Sequence, residues 1–399
     1  MNKECLVHYS LFIVHYSLLI IMLRYAHIVG WGSYLPETVL TNDDIALLVN
    51  TTDEWIRSRT GITRRHIANE NETTATLGFE AAAKALATAG IHPQEVDMII
   101  VATSTASNSF PASASLVQDY LGAVNASAFD LGAACTGFVY GIGMATQAIA
   151  TGFINTAVII GSETMSRVLD WNDRETCILF GDGAGAIVLN GSSIPGGVMA
   201  TTLGSDGSGA DLLRLPTVYR NPVPTLAPSF YRNSYQANVV SMNGRQVFRF
   251  ATKIIAQSVL EAVEEAGLTM DDVALIVPHQ ANTRIIDTAA KRLGISPDKF
   301  YVNVDTVANT SAASIPIALD EAVRNGRLQP DDNVVFVGFG GGLSWGASIV
   351  KWAATPPEED RTDNRWAKAR YAAARARSRV RQISRQVDAI RPDDDYDEE

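Results

Sequence analysis

Cysteine is scarce in this 399-residue chain, which holds only Cys5, Cys135 and Cys177. The three have neither metal-ligand spacing nor a disulfide pattern, which excludes a stapled secreted scaffold and fits a reducing compartment, the cytoplasm. A basic surplus is also lacking. Against 43 acidic residues there are 32 Lys and Arg, a net charge of −11, so nucleic acid is not an expected partner of the body. Membrane signals are incomplete. The apolar run Leu6 to Leu23 contains His8, Tyr9, Ser10, His15, Tyr16 and Ser17, with no basic leading segment and no small-residue cleavage site. It also carries a direct repeat, Val7-His8-Tyr9-Ser10-Leu11 and Val14-His15-Tyr16-Ser17-Leu18. Residues 1–23 are therefore read as an extension outside the folded body, with Met22 the expected start and no membrane partner.

What is present is apolar residue in quantity: 47% of the chain is hydrophobic, enough for one large two-part core or two domains. The apolar stretches repeat. Ala89-Gly90-Ile91-His92-Pro93-Gln94-Glu95-Val96-Asp97-Met98-Ile99-Ile100-Val101-Ala102 aligns with Ala266-Gly267-Leu268-Thr269-Met270-Asp271-Asp272-Val273-Ala274-Leu275-Ile276-Val277-Pro278-His279, an offset of 177 residues. Ala157-Val158-Ile159-Ile160-Gly161 and Val334-Val335-Phe336-Val337-Gly338 keep the same offset. Two segments sharing one offset predict two related halves, each built from helix, turn, buried strand and a further helix–strand unit.

Three polar residues stand at strategic points of this repeat. Cys135, in Asp130-Leu131-Gly132-Ala133-Ala134-Cys135-Thr136-Gly137, follows a short apolar stretch and opens a small-residue helix running to about Ala150. A thiol there faces unpaired N–H groups and the positive end of the helix dipole, which favour thiolate. His279 directly follows an apolar strand, and Asn309 opens the corresponding helix of the second half. Singly they read as a core cysteine, a strand-end histidine and a helix N-cap. Together, at strand ends and helix starts of two pseudo-symmetric halves, they are expected to share one crevice.

From about Leu23 to Trp352 the chain resembles the β-ketoacyl-acyl-carrier-protein synthase III family, initiating condensing enzymes of the thiolase superfamily. The resemblance rests on Gly32-Ser33-Tyr34-Leu35-Pro36-Glu37, Asp53-Glu54-Trp55-Ile56, Arg59-Thr60-Gly61-Ile62 and Ala134-Cys135-Thr136-Gly137-Phe138. It continues in Phe180-Gly181-Asp182-Gly183-Ala184-Gly185-Ala186, Pro278-His279-Gln280-Ala281-Asn282, Asn309-Thr310-Ser311-Ala312-Ala313-Ser314, Phe339-Gly340-Gly341-Gly342 and Trp345-Gly346. The implied fold class is α/β, a thiolase-like αβαβα five-layer sandwich of two halves, residues 24–195 and 196–353, usually a homodimer. The implied reaction joins an acyl-CoA primer to malonyl-acyl-carrier protein with loss of CO₂. Cys135 would carry the acyl group, His279 and Asn309 would stabilise the enolate as neutral donors, and the Cys135 and Gly341 N–H groups would form the oxyanion hole.

The same resemblance assigns Trp55, Arg59, Arg174 and Asn282 to coenzyme A, an Arg over an aromatic plane being suited to a purine. It assigns Gln280, Arg249, Arg284 and Lys291 to the acidic carrier protein, and Phe110 and Leu179 to the acyl pocket, Phe110 reaching across the dimer. No metal or redox cofactor is implied. Phe180-Gly181-Asp182-Gly183-Ala184-Gly185-Ala186 lacks the lysine of a phosphate loop and reads as a turn behind the site. A thiolase would need a second cysteine in the final glycine loop, and a hydroxymethylglutaryl-CoA synthase a glutamate in Val101-Ala102-Thr103-Ser104-Thr105; neither is there. A thiolase-fold acyltransferase, or a polyketide starter enzyme with a different acceptor, remains the alternative.

Two regions depart from the resemblance. Leu213 to Met242, rich in Pro, Tyr and Asn, is longer than the family pattern. Residues 354–399 follow Pro356-Pro357 with an Ala/Arg-rich helix, Asn364 to Ile390, holding eight basic residues from Arg365 to Arg385, and then an acidic run. This tail reads as a solvated appendage or, alternatively, a surface for an anionic partner.

Overall fold

The computed structural model describes residues 24–216, 239–353 and 365–388. The expected extension before Met22, most of the long Leu213–Met242 segment and the acidic end lie outside the described residues. The strands are β1 (Tyr25–Tyr34), β2 (Thr38–Thr41), β3 (Arg64–Ile67), β4 (Met98–Ala102), β5 (Ser127–Leu131), β6 (Thr156–Thr164) and β7 (Asp182–Ser192), then β8 (Gly197–Ser205), β9 (Leu213–Arg214), β10 (Ser241–Met242), β11 (Val273–Pro278), β12 (Asn333–Gly340) and β13 (Ser344–Lys351). The helices are α1 (Asn42–Ala46), α2 (Asp53–Thr60), α3 (Thr74–Ala89), α4 (Ser113–Leu121), α5 (Gly137–Ala150), α6 (Arg174–Cys177), α7 (Gly244–Glu265), α8 (Thr283–Leu293), α9 (Val304–Val307), α10 (Ser314–Arg324) and α11 (Arg365–Asp388).

The repeat seen in the sequence is a repeat of strand pairing. The first main sheet runs β1-β7-β6-β4-β5 and the second β8-β13-β12-β11. In the second, a parallel bridge from Ile276 to Phe300 stands where β5 stands in the first. Even the register is duplicated: Met98 lies opposite Ala157 in the parallel β4–β6 pair, and Leu275 lies opposite Val334 in β11–β12, each shifted by the same 177 residues. Helices α5 and α10 begin at equivalent positions, Gly137 and Ser314.

Apolar residues on both faces of the central strands explain the layering. Ile100 and Ile159 face inward with Phe138 and Ile142 of α5, Ile315 and Leu319 of α10, and Val277 and Phe336 of the second sheet. Ile99, Val101, Val158 and Ile160 face outward under α3 and α4. On the opposite outer side, Ile276, Val335 and Val337 pack under α7 and α8. The result is helix, sheet, two central helices, sheet, helix: the five-layer αβαβα arrangement. Two glycines let the central layer close. A Cβ on Gly161 of β6 would lie 2.1 Å from the Ala312 carbonyl oxygen, and one on Gly185 of β7 would lie 2.7 Å from the Ile317 nitrogen.

The tail differs from the appendage expected of it. Tyr371, Ala374 and Ser378, spaced as one helical face, are buried, while Arg375, Arg377 and Arg379 face outward. Tyr371 meets Phe79 of α3 edge to face at 5.4 Å, and Arg381 pairs with Asp119 of α4 at 2.6 Å, beside a Ser378–Asp119 hydrogen bond. Helix α11 is thus docked on the outer layer of the first half.

Candidate active site

Cys135 sits in a one-turn helix, Ala134–Thr136, between the end of β5 and the start of α5. Ala134 takes a positive φ of 47°, a conformation uncommon outside glycine, which turns the chain sharply back. The glycine run at the end of β12 closes over it: a Cβ on Gly340 would lie 2.8 Å from the Cys135 nitrogen. Cys135 is 7% exposed and its Sγ donates to Ser311 Oγ at 3.4 Å. Burial, reinforced by Glu163, pushes the thiol up to about 12, and the Ser311 hydrogen bond opposes this only in part. The thiolate expected from the helix start is therefore not the resting form. Loss of hydration outweighs the dipole in so enclosed a site.

The second half repeats this elbow. Ser311–Ala313 forms the matching one-turn helix ahead of α10, and Ser311 has a φ of 50°. The counterpart of Cys135 is thus Ala312, and Asn309 lies three residues before it rather than opening the helix. Asn309 is clamped from behind, its N–H donating to the Leu179 carbonyl and its carbonyl accepting from Gly181 N–H, both at 3.0 Å. Its side-chain oxygen accepts from Ser311 N–H at 2.9 Å, so the amide NH₂ is the end left for the cavity. The segment read as a turn behind the site does this clamping at Phe180-Gly181, and from Asp182 it continues as β7.

His279 follows β11, its N–H held by the Val337 carbonyl at 2.8 Å, and its ring lies edge-on to Phe339 at 5.1 Å. Complete burial lowers its pKa to about 3, so the imidazole is neutral under working conditions. Nδ1 lies 2.7 Å from Ser314 Oγ, and that hydroxyl also accepts from Gln280 N–H at 3.4 Å. Among the described residues that hydroxyl hydrogen has no acceptor other than Nδ1, so Ser314 donates to the ring and the ring proton is assigned to Nε2. Cys135, His279 and Asn309 line one cavity of about 150 Å³, together with Leu179, Phe180 and Phe339. Gly341 lines the adjoining cavity with Ala134 and Leu213.

At the periphery, Arg174 lies over the Trp55 ring at 4.7 Å and Arg59 approaches the same ring at 5.8 Å, so the three residues assigned to a purine nucleotide are together. Asn282 lines the cavity mouth but has structural work: its oxygen caps α8 at Arg284 N–H and its NH₂ donates to the Arg59 carbonyl. Arg249, Arg284 and Lys291 are exposed. Phe110 is 86% exposed, and Leu179 is at the cavity wall.

Gln280 is a correction. It is 1% exposed, donates to the Pro278 and Tyr301 carbonyls and accepts from Asn303 N–H, so it braces the strand end and cannot meet a carrier protein. Arg245 and Lys253, not singled out in the sequence, are exposed one turn either side of Arg249 on α7 and extend its basic face, which the i, i+4 spacing signals. Sequence reasoning missed Ser311, Ser314 and Glu163. Glu163 ends the apolar run of β6, and an acid in such a place was the visible clue.

The comparisons with known proteins agree with this geometry. Residues 129–207 match the family pattern described as 3-oxoacyl-[acyl-carrier-protein] synthase III, and residues 263–352 match its C-terminal pattern. The chain is 50% identical over 329 residues to the β-ketoacyl-[acyl-carrier-protein] synthase III of Desulfitobacterium hafniense strain Y51, covering 82% of this chain and 97% of the relative. It is 47% identical over 325 residues to that of Clostridium acetobutylicum, covering 82% and 98%. The crystal structure of 3-oxoacyl-[acyl-carrier-protein] synthase III from Aquifex aeolicus VF5 superposes with a TM-score of 0.76 at 41% identity, over 82% of this chain and all of that one. With that likeness spanning both halves and the cysteine, histidine and asparagine meeting in one cavity, the chain belongs to the β-ketoacyl-acyl-carrier-protein synthase III family.

Proposed function

We propose that this protein catalyses decarboxylative condensation of an acyl-CoA primer with malonyl-acyl-carrier protein, the step that initiates fatty acid synthesis. The observation that carries the reading is the meeting of Cys135, His279 and Asn309 on one cavity. Cys135 takes the primer's acyl group from coenzyme A, its tetrahedral oxyanion held by the N–H groups of Cys135 and Gly341. Malonyl thioester then enters with its thioester oxygen toward His279 Nε2–H and the Asn309 NH₂. Both are neutral donors, so they stabilise the enolate formed on CO₂ loss without quenching the carbanion by protonation. The carbanion attacks acyl-Cys135, giving β-ketoacyl-acyl-carrier protein and free cysteine.

Coenzyme A binds at the cluster of Trp55, Arg174 and Arg59; Arg174 already lies over the Trp55 ring at 4.7 Å, so a purine stacks on the outer face of this pair. The carrier protein docks on Arg249, Arg284 and Lys291, whose positive charge suits an acidic partner. The working unit is a cytoplasmic homodimer in which exposed Phe110 is covered by the second copy, and no metal or redox cofactor takes part. Intact-mass measurement after incubation with acetyl-, isobutyryl- and octanoyl-CoA, then malonyl-acyl-carrier protein, tests the reading. Acyl adducts on Cys135 that vanish as β-ketoacyl carrier forms are expected. Adducts that survive malonyl carrier, or no adduct from any primer, would overturn it.

A further inference from the structure

The buried thiol poses a problem that the three site residues do not solve. Acylation must remove a proton from Cys135, yet His279, with a pKa lowered to about 3, is a poor base and its Nδ1 is engaged by Ser314. A second route leads away from the sulfur. Cys135 Sγ–H donates to Ser311 Oγ at 3.4 Å, and the Ser311 hydroxyl donates to Glu163 Oε1 at 3.0 Å. We infer that Ser311 and Glu163 form a proton relay that takes the Cys135 proton during acylation, an inference resting on the acyl-Cys135 intermediate proposed above.

The hydrogen bonds have one direction. Glu163 Oε2 accepts from Thr105 Oγ1 at 2.5 Å and Thr103 Oγ1 at 3.2 Å, and Ser104 N–H reaches both oxygens at 3.1 Å. With every partner a donor, the carboxylate can only accept, and the single Ser311 hydrogen is committed to it. The serine lone pairs then face the thiol. Glu163 is fully buried, with no cation in an ion pair to it among the described residues. Folding gains little from an uncompensated carboxylate in such a place, which marks it as a functional group. Burial raises its pKa to about 7, close to neutrality, where a proton acceptor is most effective.

Among the described residues no charged side chain is bonded to Glu163. Arg167 and Asp130, which line the cavity beside loop 103–105, are engaged with the Asn69 and Glu72 carbonyls and with the first N–H groups of α4, respectively. The loop 103–105 presents hydroxyls and an N–H, and the turns 311–313 and 134–136 present Ser311 and Cys135. On β7, Asp182 is turned toward Ser166 and Ala68. Among titratable groups of the cavity, His279 stays neutral. The protons balance. As Sγ attacks the thioester carbon, its proton passes to Ser311 Oγ while the serine hydrogen passes to Glu163. When the C–S bond to coenzyme A breaks, the same two transfers run in reverse and protonate the departing sulfur. After condensation Cys135 leaves as thiolate and takes up one solvent proton by way of Glu163 and Ser311.

The test is single-turnover acylation by acetyl-CoA, followed by intact mass from pH 5.5 to 10, on the wild type, Glu163→Gln and Ser311→Ala. Both variants keep the Ser311 N–H that orients Asn309. We expect the wild-type rate to rise through an apparent pKa near 7. Both variants should fall by about 10²–10⁴-fold at pH 7, recovering only as the thiol itself ionises in alkali. A Tm and a far-ultraviolet circular dichroism spectrum near those of the wild type would show that each variant is folded, and Ser311→Ala decides the matter if Glu163→Gln is not. Wild-type rates and pH profile in the folded variants overturn the relay while leaving the condensation reading intact. A slower rate with an unchanged pH profile also overturns it, as a structural effect. Failure of wild-type Cys135 to acylate at any pH removes the functional reading itself.

Discussion

Asn309 and Ser314 illustrate how little freedom the site leaves its donors. The amide oxygen of Asn309 is bound to Ser311 N–H, so an acid in its place would keep that bond and turn a bare oxygen, in place of the NH₂, toward the developing enolate. Asn309→Asp should therefore acylate normally but lose decarboxylation by about 10²–10³-fold, measured as CO₂ release from malonyl-carrier protein. Ser314 acts at one remove, by holding the proton of His279 on Nε2. Ser314→Ala frees the ring to take the other tautomer. It should slow decarboxylation by roughly tenfold, the worth of one lost hydrogen bond of about 1–2 kcal/mol, with the rate of Cys135 acylation unchanged.

Among the elements, the two duplicated elbows are pressed against the strands behind them. Gly161 of β6 lies directly against the 311–313 turn, where an added Cβ would fall 2.1 Å from the Ala312 carbonyl oxygen. Since the opposing atom is backbone, the turn must move as a unit. Gly161→Ala is expected to cost about 1–3 kcal/mol, seen as a lower Tm. Acylation should slow as well, because the displaced turn carries Ser311. A Tm equal to that of the wild type would show that the contact is looser than the geometry implies. Helix α11 makes the opposite case. Its contacts are with Phe79, Gly122 and Asp119 in the outer layer, none of which lines the cavity of Cys135, His279 and Asn309. Removing residues 354–399 should lower stability by about 2–4 kcal/mol through loss of the Tyr371 packing, with Cys135 acylation retained.

Across the whole molecule, two buried groups set opposing responses to pH. His279 has a folded pKa of about 3, below its unfolded value, so the unfolded chain binds the extra proton and stability is lost as pH falls from 6.5 toward 3. Glu163 is raised to about 7 from 4.5, so the folded chain holds the extra proton and stability is lost as pH rises through that interval. Between pH 4.5 and 6.5 the two oppose each other. Urea unfolding should show His279→Gln losing stability from pH 5 to 7 relative to the wild type, and Glu163→Gln gaining it. Identical pH slopes in all three proteins would mean that neither group titrates as its burial dictates.

The repeat was legible in the chain because two continuous apolar runs recur at one offset, and Met98–Ala157 and Leu275–Val334 pair at that same offset. Cys135, His279 and Asn309 could be found the same way, since strand ends and helix starts are marked by local composition. Partners distant in sequence could not. Glu163 reaches Ser311, 148 residues away, only because β6 lies beside β4 and the central helices start against it. The loop after β4 carries no glutamate of its own, and Glu163 of the neighbouring strand is bound to its Thr103, Ser104 and Thr105. Gln280 sits in a motif with His279 yet is buried by Tyr301 and Asn303, and α11 is docked by contacts with Phe79 and Asp119. The charge state of the thiol also waited on tertiary structure. Sequence placed Cys135 near a helix start, but only packing excluded the water that a thiolate needs, and desolvation then outweighed the dipole.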